Sequence, residues 1–425
     1  MKTRGLLLRS CWAVSGICLS ATSFAQSTES DLAPGYRPFR KVEKLLIPDI
    51  PDSVLASWHY VDEHITIKPG VSILADYTAF SQDAASVTQV GTQDNKAEFR
   101  HIRFSLRGRL HFFFDWTYSI SADYKGFGQN DGAGDWSFAD TSFSHRLGGK
   151  HRELTVGKMK EPVIYEIVSS TSNLPQMERM LSPFSTSRNW GVSVSDAILD
   201  ERVTWAGGVY NDWLVDGGAL DTSGTQVSGR LTWLARWANE GRSFLHLATS
   251  VRYNGGDSDI LRYRGRPESN VADYYVDTGD LSADHAWHTG FEALWNEGPV
   301  SVLAEYVEAR ILSEASGDPR ITGWYLTGSW VLTGETRPYD RIAGQARRVL
   351  PTKRWGAPEL VVRFSRLDFD DGLVRGGTMD KTYVGLNWWA TKRWKAGFGW
   401  GRTWLERDGL EGRTDSFLTR LQWIH

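Results

Sequence analysis

The sequence predicts an all-β protein, a transmembrane antiparallel β-barrel of about 16 strands. Three observations predict it. Apolar side chains recur at every second position along most of the 425 residues, the period of a strand with one greasy and one wet face. Aromatic residues are abundant, 20 Trp, 15 Tyr and 18 Phe, and many Trp fall at the ends of the alternating runs, where a barrel places its interfacial girdles. No apolar run approaches the ~20 residues that a membrane-spanning helix needs, so any crossing must be made by strands.

The amino end sets the compartment. Residues 1–25 read as a secretory signal: Lys2, Arg4 and Arg9 form a basic start, Cys11 to Ala21 an apolar core, and Ser23-Phe24-Ala25 a small-x-small cleavage site. Both cysteines, Cys11 and Cys18, fall inside it, so the mature chain is expected to hold no disulfide and no cysteine metal site. Removing the three basic residues changes the net charge from -3 to -6. Neither value fits a nucleic-acid partner, which favours a strongly basic domain.

Residues 26–64 form an irregular, Pro-containing lead-in on the periplasmic side, and residues 65–425 the barrel. Trp116, Tyr118, Ile120, Ala122 and Tyr124 alternate with Thr117, Ser119, Ser121, Asp123 and Lys125. The same pattern runs through Leu245 to Tyr253, and through Trp394, Ala396, Phe398 and Trp400, whose partners on the other face are Lys395 and three glycines. Such runs begin near residues 66, 98, 114, 136, 152, 189, 202, 225, 243, 286, 299, 321, 357, 381, 394 and 415. With 400 mature residues, each has about 25 for itself and its connection, room for a ~10-residue strand with turns and loops in alternation. The connections 146–150, 239–242, 296–298 and 391–393 are short and fit periplasmic turns. The Gly-, Asp- and Ser-rich stretches 126–135 and 254–285 fit extracellular loops. A soluble β-protein, a propeller or a Trp-rich carbohydrate binder, would also alternate, but no 40-residue blade repeat is present. The last run, Phe417, Thr419, Leu421, Trp423 and His425, ends on His where an outer-membrane strand usually ends on Phe or Trp.

The text of residues 153–194, ELTVGKMKEPVIYEIVSSTSNLPQMERMLSPFSTSRNWGVSV, resembles the phosphate-selective porin O and P family. The matching positions are Val156, Gly157, Lys160, Glu161, Pro162, Ser169, Ser170, Met177, Glu178, Arg179, Arg188, Asn189 and Gly191. Further echoes follow in family order at residues 98–110, 205–211, 298–306, 324–339, 360–372 and 384–389. The resemblance implies a 16-stranded, trimeric porin in the outer membrane of a Gram-negative bacterium. It also implies that a long connection, about residues 161–188, folds into the lumen and narrows it. A porin of this family would pass anions, phosphate or its relatives. Pyrophosphate, an organic acid or a sugar is the alternative solute on the same fold.

Charged side chains in a narrow passage decide selectivity more than net charge does. If Ile102, Phe104, Leu106 and Leu110 face lipid, then Arg103, Arg107 and Arg109 face the lumen as a basic track, with forks suited to phosphate oxygens. Parity adds Arg230, Arg236, Arg252 and Arg363, while Lys158, Lys160, Arg179 and Arg188 flank or sit in the inserted loop. Glu161, Glu166 and Glu178 could pair with Arg179 and Arg188 and make them structural instead. The connection 334–356 breaks the short-turn rule. Its Arg337, Arg341, Arg347, Arg348, Lys353 and Arg354 would form a basic periplasmic patch that draws anions through; the alternatives are a solvated loop or one contacting anionic lipid.

Nothing reads as catalytic, and no cofactor or metal is expected. His285-x-x-His288 lacks a third ligand, and the acidic stretches 257–259 and 368–372 lack the spacing of a calcium loop. The partners that the resemblance implies are outer-membrane lipid, small anions of the phosphate class and two further copies of the chain.

Overall fold

The computed structural model describes residues 47, 49–112, 114–124, 136–211, 224–255 and 260–425. The expected signal at 1–25, most of the lead-in, the loop at 126–135 and the acidic stretch 257–259 lie outside the described residues.

Sixteen antiparallel strands form one closed wall. They are β1 (Thr66–Gln82), β2 (Lys96–His111), β3 (Asp115–Tyr124), β4 (Trp136–Arg146), β5 (Glu153–Met159), β6 (Asn189–Ile198), β7 (Val203–Asn211) and β8 (Thr225–Ala238), then β9 (Ser243–Gly255), β10 (His285–Glu297), β11 (Val300–Leu312), β12 (Arg320–Val331), β13 (Ala357–Asp371), β14 (Val374–Trp389), β15 (Trp394–Arg407) and β16 (Leu410–Ile424). Each pairs with its sequence neighbours, and β16 returns to β1 from Ser72↔Ile424 to Gln82↔Thr414. Closure removes the exposed edges that an open sheet would present to lipid. The terminal His425 belongs to this seam: its N–H donates to Val71 O at 2.7 Å and its carbonyl accepts from Val71 N at 3.0 Å. Trp58 meets its ring edge-on at 5.4 Å, so an aromatic from the lead-in stands where the chain end lacks one.

Alternation sorts the side chains as the sequence pattern predicts. On β10, Trp287, Phe291 and Trp295 are exposed on the outer surface while Ala286, His288, Glu292 and Leu294 are buried inside. Outer Trp233, Trp295 and Trp330 mark one end of the wall, and Trp136, Trp287, Trp324 and Trp404 the other. These are the two levels of an aromatic girdle. The three glycines facing Lys395's side of β15 also acquire a reason. A Cβ on Gly399 would overlap the Tyr383 ring, one on Gly401 would meet Lys381, and one on Gly397 would press on Met177 Cε at 3.0 Å.

The interior is far fuller than an empty cylinder. One buried cluster joins inward residues such as Leu294, Leu303, Ile321 and Leu367 to Ile164, Leu181 and Phe184 of the connection after β5, to Tyr263 and Tyr275 of the connection after β9, and to Tyr339 and Ala346 of the connection after β12. Two expectations change here. Residues 260–284 turn inward, with Tyr275 Oη donating to Thr414 Oγ1 at 2.9 Å and Asn270 Nδ2 to Glu98 at 2.7 Å. Residues 335–349 are almost wholly buried, so the long connection at the periplasmic end is an inserted segment and not a solvated loop. Its aromatic and aliphatic side chains pack inside: the Tyr339 ring lies against that of Phe244, tilted, with centroids 4.9 Å apart.

Replacing Phe291, which lies mid-strand and 55% exposed on the outer face, with Arg is expected to destabilise the folded barrel by about 2–4 kcal/mol, the cost of a cation near the bilayer midplane. Guanidinium unfolding in lipid vesicles measures it.

Candidate functional site

The connection after β5, residues 160–188, crosses the lumen as the resemblance implied. It is held by buried carboxylates that meet arginines of the wall. The Glu166 carboxylate accepts from Arg363 Nη2 at 2.8 Å, Gln176 Nε2 at 2.7 Å, and the N–H groups of Met180 and Leu181 at 3.0 and 3.1 Å. Glu161 accepts from Arg252 Nε at 2.7 Å and Asn189 Nδ2 at 2.8 Å. Glu178 accepts from Arg100 Nε at 2.8 Å and Arg420 Nη2 at 2.6 Å. The helical turn Tyr165–Val168 rests on Glu305, whose carboxylate accepts from the Tyr165 N–H and from Tyr325 Oη at 2.8 Å.

The tip of this loop is gripped by its backbone carbonyls. Gln422 Nε2 reaches Ser172 O at 3.3 Å, Arg337 Nη1 reaches Asn173 O at 2.8 Å, and Lys395 Nζ reaches Leu174 O at 3.0 Å. Asn387 Nδ2 reaches Pro175 O at 2.7 Å and Arg420 Nη1 reaches Met177 O at 2.5 Å. Five side chains from β14, β15, β16 and the inserted segment thus hold one six-residue stretch on the wall opposite β5.

Several expected path residues have other partners. Arg363 is fully buried between Glu166 and Glu268 (Nε–Oε1 2.6 Å) and lies over the Tyr325 ring at 3.8 Å. Arg252 is bound to Glu161, and Arg230 to Glu292 at 2.6 Å and Gly344 O at 3.0 Å. Arg236 is on the outer face, because the register shift in β8 opposite Leu245 and His246 inserts one residue and reverses the parity beyond it. Lys158 also lies outside by register, opposite Thr141 and Trp190 on the face of exposed Val156. The expected periplasmic patch is divided: Arg337 pairs with Glu359, Arg347 with Asp340 at 2.7 Å, and Arg341 with Glu201 at 3.5 Å. Arg348 is buried within the inserted segment, Lys353 is half-buried and Arg354 exposed where the chain re-emerges. His285 and His288 occupy opposite faces of β10, as a spacing of three dictates in a strand, and share no site.

What converges at the constriction is a basic wall. Arg103 faces inward and pairs with its cross-strand neighbour Asp123 at 2.5 and 2.7 Å, a partner that sequence distance concealed. Arg107 and Arg109 follow on the same face toward the periplasmic end. Arg188 pairs with Asp140 at 2.8 Å. Lys160 donates to the carbonyls of Val168 and Ser169 at 3.3 and 3.0 Å, and Arg179 to those of Glu166 and Ser169. Among the described residues neither has a carboxylate at ion-pair distance. Arg100, Arg103, Lys160, Arg179, Arg188 and Arg420 gather with Asp76, Glu98, Asp123, Asp140 and Glu178, six basic groups beside five carboxyls.

Two sets of residues escaped the sequence reading. Arg100 turns inward because β2 is bulged opposite Leu74 and Ala75, which parity does not reveal. Arg262, Arg264 and Arg266 alternate in the inward connection, and the last two lie over the Tyr274 ring at 4.3 and 4.4 Å. Their i, i+2, i+4 spacing was a legible signal.

Comparison with known proteins gives a coherent picture. A family model described as phosphate-selective porin O and P matches residues 70–422. Porin O of Pseudomonas aeruginosa is 23% identical over 407 residues, covering 85% of this chain and 89% of that protein. The outer membrane channel DcaP of Acinetobacter baumannii superposes with a TM-score of 0.55 at 10% identity, covering 86% of this chain and 99% of that one. The anion-selective porin from Comamonas acidovorans superposes with a TM-score of 0.53 at 12% identity, covering 84% and 100%.

Replacing Arg363 with Met leaves Glu166 and Glu268 buried without their shared cation. The expected cost is about 3–5 kcal/mol, read as an earlier unfolding midpoint, together with a larger and noisier single-channel conductance as the loop loosens.

Proposed function

Since the chain belongs to the phosphate-selective porin O and P family and is an outer-membrane channel and not an enzyme, we propose that it passes small anions of the phosphate class by passive diffusion, and that it does so as a homotrimer. The observation that carries the anion reading is the charge balance at the constriction, where Lys160 and Arg179 are oriented by backbone carbonyls and lack carboxylate partners among the described residues. A solute must cross this passage close to fixed cations and away from bulk water, where their field is poorly screened. An anion supplies the missing negative charge; a cation of the same size meets only repulsion. Burial, and then the charges of Arg179 and Arg188, hold the Lys160 ammonium well below the ordinary lysine range.

Guanidinium forks already oriented by Asp123, Asp140 and Glu178 favour an oxyanion with several acceptor oxygens over a halide. The trimer reading is supported by the outer face of β5, β6 and β7. These strands have 7, 10 and 9 residues, at or below the ~9–11 that a tilted strand needs to cross a bilayer. Their outward Val156, Val192, Gly207 and Val209 are small enough for close contact with a second wall. The mass of the detergent-solubilised protein should correspond to three chains.

In planar bilayers a salt gradient is expected to give an anion-selective reversal potential, and millimolar phosphate should block chloride current. Lys160→Gln with Arg179→Gln should lower anion preference several-fold, with a modest fall in the unfolding midpoint from the lost loop hydrogen bonds. A cation-selective potential in the unaltered protein would refute the reading. Because Lys160 loses its proton below the usual lysine range, phosphate block should weaken as pH rises, at a lower pH than an ordinary lysine would give. Lys160→Arg should remove that dependence.

A further inference from the structure

The outer surface of β11–β16 carries a charged feature separate from the lumen. Toward the extracellular end the apolar band reaches Tyr306, Trp324 and Trp404. At and beyond that level stand Glu308, Arg310, Arg320 and Arg366, with Arg402 one outward position below Trp404, all on outward positions. Glu308 is 14% exposed and lies beneath two guanidiniums: Arg310 Nε at 2.5 Å, 74% exposed, and Arg320 Nε at 2.8 Å, 53% exposed. Arg320 Nη2 also donates to Tyr306 Oη at 3.2 Å. Two cations thus share one shielded carboxylate, and their free donors lie on the outer surface. Arg366 and Arg402 extend the row, beside Asp380 at 2.9 Å and Asp415 at 2.8 Å. At the same height β6–β9 present Trp190, Val209, Val227 and Tyr253, so the tier belongs to one side of the barrel.

We propose that this rim binds the phosphate groups of a phosphorylated glycolipid in the outer leaflet, with Arg310 and Arg320 as its principal clamp. The height fits, because residues just beyond an aromatic girdle stand at headgroup level. The chemistry fits as well: a guanidinium held by a carboxylate on one edge still offers donors on the other, and planar forks match phosphate oxygens. Acyl chains of the same molecule would lie along Leu326, Phe364 and Val384, the exposed apolar band directly below. The glycolipid is chosen over a free phosphate ion because the clamp opens toward the membrane side of the wall and not toward the channel.

The test compares the full chain, purified from outer membranes in mild detergent, with Arg310→Gln/Arg320→Gln. The variant should retain several-fold less glycolipid phosphate per chain by phosphorus assay and mass spectrometry, with unchanged conductance and anion selectivity in phospholipid bilayers. For delipidated wild-type protein, adding bisphosphorylated lipid A should raise the temperature at which the folded gel band converts to the unfolded one, and the dephosphorylated glycolipid should not. Equal retention by the variant, or an equal response to both glycolipids, overturns the proposal. So does dissociation of the variant into smaller assemblies, which would make the rim a contact between subunits. The two-glycolipid comparison uses the unaltered protein and stands even if the variant fails to fold.

Discussion

The Arg363 guanidinium is the interaction on which the interior depends. It is projected from β13 into a space with no exposure, and three of its sides are filled by Glu166, Glu268 and the Tyr325 ring. Glu166 belongs to the loop after β5 and Glu268 to the connection after β9, so one side chain fixes two inserted segments to each other and to the wall. A charge this deeply buried is tolerable only because it is fully paired. The same logic recurs at Arg252 with Glu161 and at Arg337 with Glu359. These pairs settle where the loop lies, and therefore where the remaining passage runs.

Inside the barrel, arginine accordingly has two uses. On the side of β8–β13 it meets carboxylates within an apolar packing, and its charge is neutralised in place. Around β2–β4 and the loop's exposed edge, cations outnumber anions and keep partial contact with the lumen. The contrast follows from what lies opposite each strand. Leu294, Leu303 and Ile321 face packed loop, whereas Ser105, Ser119 and Ser121 stand on the polar wall beside Arg103 and Arg107.

Much of this was legible before any coordinates. Strict alternation of side chains located all sixteen strands, while which face of each strand turns inward depended on register. The family resemblance located the inserted loop. Three things were hidden, each for a physical reason. Bulges at Arg100 and near Arg236 reverse parity without any mark in the sequence. Ion-pair partners such as Asp123 for Arg103 and Glu268 for Arg363 are adjacent only through strand register or through a loop's fold. The inward course of residues 334–356 was masked by its six basic residues, which read as solvent-seeking although Arg337 and Arg347 are neutralised by Glu359 and Asp340.

The grip on the loop tip has a consequence for the order of biogenesis. The carbonyls of residues 172–175 and 177 are satisfied by Arg337, Asn387, Lys395, Arg420 and Gln422, groups that lie between 164 and 250 residues further along the chain. Contacts of such sequence separation form late, because long stretches of chain must first be confined. When the amino-terminal half of the wall emerges, its loop has nothing to hold, and its polar backbone needs water or a chaperone's surface until β14 to β16 arrive. The passage is thus sized in the same event that seals the cylinder, so a half-closed wall would leak without selectivity and would not resemble the finished channel in miniature.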